Sequence, residues 1–217
     1  MIKIQEKSDE KLNFITDMPI SIANAIRRSV NEIPILAVDV LEITKNDSAL
    51  YDEIIAHRVG LIPLKNEDLK LPENCDCKGK GCGKCSIKFK LKAKGPCAVY
   101  STELSPKTNV VYKMPITLLD KDQELEFLAI AKVGKGINHA KYSPGLFYYR
   151  YSDDITKPDV KEDEQNFSKV LEEAEKKEDK EITVFIESWG QIKAKEIFIK
   201  AVEALNDNLN NFSKAIK

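Results

Sequence analysis

Apolar and polar positions recur with two different periods along this chain, and the switches between them mark its elements. Ile2 and Ile4, then Leu12, Phe14 and Thr16, alternate residue by residue and predict two strands joined by a turn over residues 7–11. From Ser21 the period lengthens. Ile22, Ile26, Val30 and Ile33 fall on one side of a helix that starts near Pro19 and stops at Pro34. Asn24, Arg27, Arg28 and Asn31 keep the same intervals on the other side, so two planar guanidinium forks stand on the helix back. Spacing alone leaves a solvated charged face and a docking face equally open. Residues 35–44 return to a strand pattern, with Leu36, Val38 and Val40 on one face.

A short helix is expected around residues 52–58. The run IKFKLKAK, Ile87 to Lys94, sets Ile87, Phe89, Leu91 and Ala93 against four lysines, as on an edge strand whose lysines face water. Residues 116–118, 125–133 and 182–188 read as further strands, and the polar stretch 153–180, rich in Glu and Lys, as a connector. After Trp189-Gly190 comes the longest periodic element. Phe198, Val202, Leu205, Leu209, Phe212 and Ile216 are spaced 4-3-4-3-4, a heptad seam, with no Gly or Pro from residue 191 onward. About 25 helical residues would span about 37 Å. The chain offers no second helix of that length, so a helix of another polypeptide is expected to cover the seam.

Composition narrows the function classes. The 217 residues are 42% hydrophobic and 32% charged, enough for a sizeable core in one large domain or two small ones. With 34 basic against 35 acidic side chains, the chain lacks the electrostatic footprint of a nucleic-acid binder. No apolar run approaches the ~20 residues of a membrane span, and MIKIQEKSDEK lacks the core of a signal peptide. A cytoplasmic location is expected.

Four of the five cysteines crowd into CDCKGKGCGKC: Cys75, Cys77, Cys82 and Cys85. Glycines at 79, 81 and 83 let such a loop wrap so that four thiolates converge on one ion. Four soft ligands with no open position suggest structural zinc; an iron–sulfur cluster uses the same ligands, and reduced thiols without metal are the third reading. Cys97 stands apart as a packing residue. The run VGKGINHAK, Val133 to Lys141, lacks the closing G-K-[ST] of a phosphate loop and reads as a strand-to-loop turn. Of the two histidines, His57 lies beside Asp52, Glu53 and Arg58, and reads as a structural or interface residue rather than an acid–base catalyst. No catalytic constellation is present.

Several segments carry a resemblance. NAIRR (Asn24 to Arg28), EIP (Glu32 to Pro34), AVDV (Ala37 to Val40), DSALYDEIIAHRVGLIPL (Asp47 to Leu64) and GKGINHAKYSP (Gly134 to Pro144) closely resemble the archaeal D-type subunits of DNA-directed RNA polymerase, relatives of the bacterial polymerase α subunit and the third-largest subunit of eukaryotic polymerase II. The final strand, Trp189-Gly190 and the long terminal helix are similar to that family's close. The resemblance runs from about residue 10 to the C-terminus.

The resemblance implies an α+β fold of two domains: a discontinuous dimerisation domain, residues 1–44 and 146–217, and an inserted mainly-β domain, residues 45–145, carrying the cysteine loop. The implied role is a non-catalytic assembly subunit. It pairs with the smaller α-like subunit L, is joined by small subunits N and P, and receives the large catalytic subunits, meeting DNA only through the complex. Dimerisation would use Ile22, Ile26, Val30, Phe198, Val202, Leu205, Leu209, Phe212 and Ile216. The second-largest subunit would meet Asn24, Arg27, Arg28, Asp52, Glu53, His57 and Arg58. Eukaryotic relatives hold zinc in a similar cluster, which favours one zinc ion at the four cysteines. Some archaeal members insert a cysteine-rich, ferredoxin-like segment before the last strand; here KPDVKEDEQNFSKVLEEAEKKEDK takes that place without cysteine, so no cluster is expected there. The rival reading is a free-standing zinc or iron–sulfur metalloprotein with a redox role, or an RNA-binding role on the lysine-faced strand.

Overall fold

The computed structural model describes residues 2–65, 75, 82, 85–106, 110–151 and 181–216. In chain order the elements are β1 (Ile2–Lys7), β2 (Lys11–Thr16), α1 (Ile20–Ser29), β3 (Pro34–Asn46), α2 (Asp52–Gly60), β4 (Ser86–Lys94), β5 (Cys97–Tyr100), β6 (Pro115–Leu119), β7 (Glu124–Lys135), β8 (Gly145–Tyr151), β9 (Ile182–Ser188) and α3 (Ala194–Ile216). Single 3-10 turns occupy Val30–Glu32, Ser101–Glu103 and Ala140–Tyr142. The fold is α+β, and none of the described helices is long and apolar enough to cross a membrane.

Contacts gather the chain into two units, and the first is discontinuous: Met1–Ile33, Gly145–Trp189 and Lys193–Lys217. Its antiparallel sheet runs β1-β2-β9-β8. Alternation puts Leu12, Phe14, Ile182, Val184, Ile186 and Phe147 in the core, each large aliphatic contributing roughly 1.5–3 kcal/mol by leaving water. Helix α3 packs on α1, β2 and β9, with the Phe14 and Phe198 rings edge to face at 5.4 Å. In α1, Ala23, Ile26 and Ser29 are buried, and Val30 and Ile33 follow them. Ile22, expected among them, is 46% exposed, because the buried arc centres on Ala23 and Ile26 and leaves it at the margin.

The second unit is Pro34–Pro144 with Gly190–Ile192. A sheet ordered β3-β7-β4 carries the β5–β6 hairpin and α2 against a core that includes Leu36, Val38, Ile55, Val59, Phe89, Leu91, Leu125 and Phe127. Strand β3 runs unbroken through residue 44, so this unit starts at Pro34, earlier than the boundary expected there. The face expected for Leu36, Val38 and Val40 is also corrected. A bulge between Val38 and Val40 shifts the register against β7, turning Val40 outward at 40% exposure and handing the core to Leu41 and Ile43. Strands β5 and β8 go beyond the elements that the pattern predicts. In β5 only Val99 is fully covered, and β8 has four aromatics among seven residues with both faces partly filled, so neither shows clean alternation.

Past β9, Gly190 takes φ +86, and a Cβ there would meet the Tyr112 hydroxyl at 2.6 Å. Only glycine permits that turn without strain. It delivers Gln191 into the second unit, where its buried side-chain amide donates to the Leu36 carbonyl at 3.1 Å. The expected connector, 153–180, lies outside the described residues.

Candidate functional site

Helix α3 divides into two halves of different character. Ala194, Ile197 and Ala201 are fully buried, and the two alanines let the helix approach its own unit closely while Ile197 fills the core. The adjoining stripe, Phe198, Val202 and Leu205, is half covered. Beyond it Leu209, Phe212 and Ile216 stand 57%, 65% and 69% exposed. With 23 residues, the helix is about 34 Å long, and its last two turns carry the heptad stripe past the described residues that cover its first half. Asn208 donates to Glu32 there at 3.4 Å. Exposed Ile22 belongs to the same unit. An apolar stripe left in water across two helical turns marks an interaction surface.

The residues expected at a second surface fall into two groups. On α1, Arg27 and Arg28 are exposed in the last turn, where their charge suits the helix dipole. Arg27 Nε donates to Asn24 Oδ1 at 3.2 Å, which aims that guanidinium along the helix. On α2, two of the four residues serve the fold. Asp52 accepts from Asn46 Nδ2 at 2.7 Å, fastening the helix start to the end of β3, and Arg58 donates to the Pro115 carbonyl at 2.9 Å. Glu53 and His57 are exposed. The other histidine, His139, accepts from the Lys141 amide at 3.1 Å and closes a turn.

Three cysteines, Cys75, Cys82 and Cys85, come together at the start of β4. The Cys82 carbonyl accepts from the amides of Cys85 and Ser86, both at 3.0 Å, and from Ser86 Oγ at 2.9 Å. In this turn the Cys82 amide donates to Cys85 Sγ at 3.4 Å. Cys75 Sγ lies 3.5 Å from Cys82 Sγ, which lies 3.7 Å from Cys85 Sγ, and all three sulfurs fall within 4.8 Å of one another. A disulfide needs about 2.05 Å. Tetrahedral zinc with bonds of about 2.3 Å separates its sulfurs by about 3.8 Å, so the three thiols fit that ion. Cys77 lies outside the described residues. Cys97 is an exposed thiol.

One cluster has no counterpart among the sequence motifs. The Asp39 carboxylate accepts from Lys141 Nζ at 3.0 Å and from the Tyr142 hydroxyl at 3.2 Å, with Lys132 Nζ at 3.4 Å. Burial pushes the Asp39 carboxyl up, but the Lys141 hydrogen bond and charge, the Lys132 charge and the Tyr142 hydroxyl together hold it below the usual carboxylate range. Burial, then the Asp39 charge and hydrogen bond, push the Tyr142 phenol well up. Gly134 explains the tight seat of that ring: a Cβ there would lie 2.6 Å from it. The glycine of VGKG thus makes room for an aromatic ring. A signal does exist in the sequence, since AVDV places a carboxylate among apolar residues.

Known proteins share these segments. A family profile described as "RNA polymerase Rpb3/RpoA insert domain" matches residues 20–145. A protein of Methanothermobacter thermautotrophicus named "DNA-directed RNA polymerase subunit Rpo3" is 40% identical over 66% of this chain and 58% of its own length. One of Pyrococcus horikoshii with the same name is 40% identical over 69% and 59%. These matches thus span under two thirds of those two relatives. The Methanocaldococcus jannaschii protein of that name is 32% identical over 100% of this chain and 98% of its own length. A free-standing metalloprotein is not favoured by such relatives. A match over more than half of the chain, joined by a relative aligned nearly end to end, places the chain in the Rpb3/RpoA family of RNA polymerase subunits.

Proposed function

We propose that this chain is a non-catalytic assembly subunit of DNA-directed RNA polymerase. It works in the cytoplasm by pairing with the smaller α-like subunit L and forming the platform on which the large subunits assemble. The carrying observation is the stripe Leu209, Phe212 and Ile216, apolar, in heptad register with the half-covered Phe198, Val202 and Leu205, and left in water. A helix of L laid along it, with Ile22 at its margin, would bury what this chain leaves exposed; obligate interfaces of that kind usually exceed about 2,000 Å². In this reading Ile26 and Val30 are the core that holds α1 beneath the interface.

The remaining assignments follow the same reading. Arg27, oriented by Asn24, and Arg28 would make charge-assisted contacts to the second-largest subunit. Glu53 and His57 would join them from α2, and Asp52 and Arg58 would hold that helix in place. Small subunits N and P would complete the platform, and DNA would be met only through the assembled enzyme. Cys75, Cys82 and Cys85, with Cys77, would hold one structural zinc ion.

Co-expression with a candidate L subunit, followed by mass measurement in solution, tests this reading. A 1:1 complex is expected, and with it recovery of soluble protein. A monodisperse monomer indifferent to L would overturn the assignment.

A further inference from the structure

The three-stranded sheet has a second face, turned away from its core, and the register shows what that face carries. Val40, Ile130 and Lys88 form one row across β3, β7 and β4, and Glu42, Leu128 and Lys90 the next. Val40 is 40% exposed, Leu128 and Ile130 are half-buried, and Lys88, Lys90 and Glu42 lie in water. None of the three apolar side chains belongs to the unit's core.

Closed polar clusters bound these two rows along the strands. At one end stand Asp39, Lys132 and Lys141. At the other, Lys45 and Lys94 pair with Glu124 at 3.0 and 3.2 Å, and Lys92 with Glu126 at 2.8 Å. Lys88 and Lys90 differ from Lys92 and Lys94 on the same strand face: among the described residues neither meets a carboxylate. An apolar centre, closed polar rims and two cations without counter-charges among the described residues form the anatomy of a docking patch. Its charge calls for a partner that brings carboxylates. Two features exclude other occupants. The patch has no aromatic ring for a base to stack on and carries Glu42, which opposes nucleic acid. The edge of β4 is already closed at Lys90, whose amide and carbonyl pair with those of Ser105 at 3.0 and 2.9 Å, so an added strand is blocked there.

We propose that this face docks a segment of another polymerase subunit, seating an apolar side chain on Val40, Leu128 and Ile130 and acidic side chains against Lys88 and Lys90. The inference rests on the assembly role above but is separable from it. Lysine acetylation of the purified chain and of the assembled polymerase, read by mass spectrometry, tests it. Lys88 and Lys90 are expected to react at least about fivefold more slowly in the assembly, with Lys92 and Lys94 changed less. A zero-length carbodiimide should then join Lys88 or Lys90 to an Asp or Glu of a neighbouring subunit. The pair K88E and K90E, both at exposed positions, should enter the assembly about tenfold less well than wild type in competition. Equal reactivity in both states, protection abolished by nuclease, or wild-type incorporation of the charge-reversed variant would each overturn the docking patch alone. A chain that never enters the polymerase would overturn the assembly role and this inference together.

Discussion

Asp39 and Lys141 lie 102 residues apart in sequence and are joined by a 3.0 Å hydrogen bond between carboxylate and ammonium. The bond ties the bulge in β3 to the turn that follows β7, and Tyr142 seals it by donating to the same carboxylate oxygen while its ring rests on Gly134. Two of the family-like segments are therefore one structural element.

Asp39→Asn should destabilise the protein by about 1–3 kcal/mol at pH 7, since it strips charge from a site built around two ammonium groups. The pH dependence has a definite sign. Because the folded carboxyl titrates below its ordinary value, its contribution is complete above the unfolded value of about 3.9 and is lost as pH falls through the folded one. Urea midpoints of wild type and variant should differ at pH 7 and converge below about pH 4. A constant gap would show that the charge is immaterial.

Gly134→Ala is expected to cost about 1–3 kcal/mol, because the added methyl meets the Tyr142 ring rather than open space. Combined with Tyr142→Leu it should cost less than the sum of the single changes. Additive losses would separate the glycine from the ring.

Two aspartates on α3 should act oppositely. Ala201→Asp buries a charge against the chain's own unit and should prevent folding of the isolated protein. Leu209→Asp sits in water and should leave thermal stability of the isolated chain within about 0.5 kcal/mol, while abolishing pairing with L. If the Leu209 variant pairs normally, the exposed stripe has another purpose.

Arg27→Ala with Arg28→Ala should spare pairing with L and weaken recruitment of the second-largest subunit by about 2–5 kcal/mol. Pull-down of each partner separately reads the difference, and undiminished recruitment would count against the assignment.

Cys82→Ser removes the sulfur that lies within 3.7 Å of both its neighbours. Zinc, measured by elemental analysis, should fall from one ion per chain toward none, with a lower melting temperature. A brown wild-type protein containing iron would replace zinc with a cluster.

Period and composition made much of the fold legible. Alternation marked β2, β4 and β7 because each has one face in the core and a more open one opposite, whereas β1 alternates although all six of its residues are exposed. The heptad run marked α3 because nothing in it breaks a helix. The cysteine spacing announced that thiols would gather, as Cys75, Cys82 and Cys85 do, for the same local reason, since a short glycine-rich loop brings its own thiols together. Long-range geometry was not written in any local pattern. The bulge that turns Val40 outward exists only as a mismatch with β7. Whether Ile22 or Ala23 faces inward depends on where α3 lies, and how far α3 covers its own stripe depends on where its unit ends. The Asp39 cluster needs two distant segments to meet before a carboxylate, two ammonium groups and a phenol acquire any relation. Period is a property of neighbours along the chain, whereas register, coverage and charge pairing belong to neighbours in space.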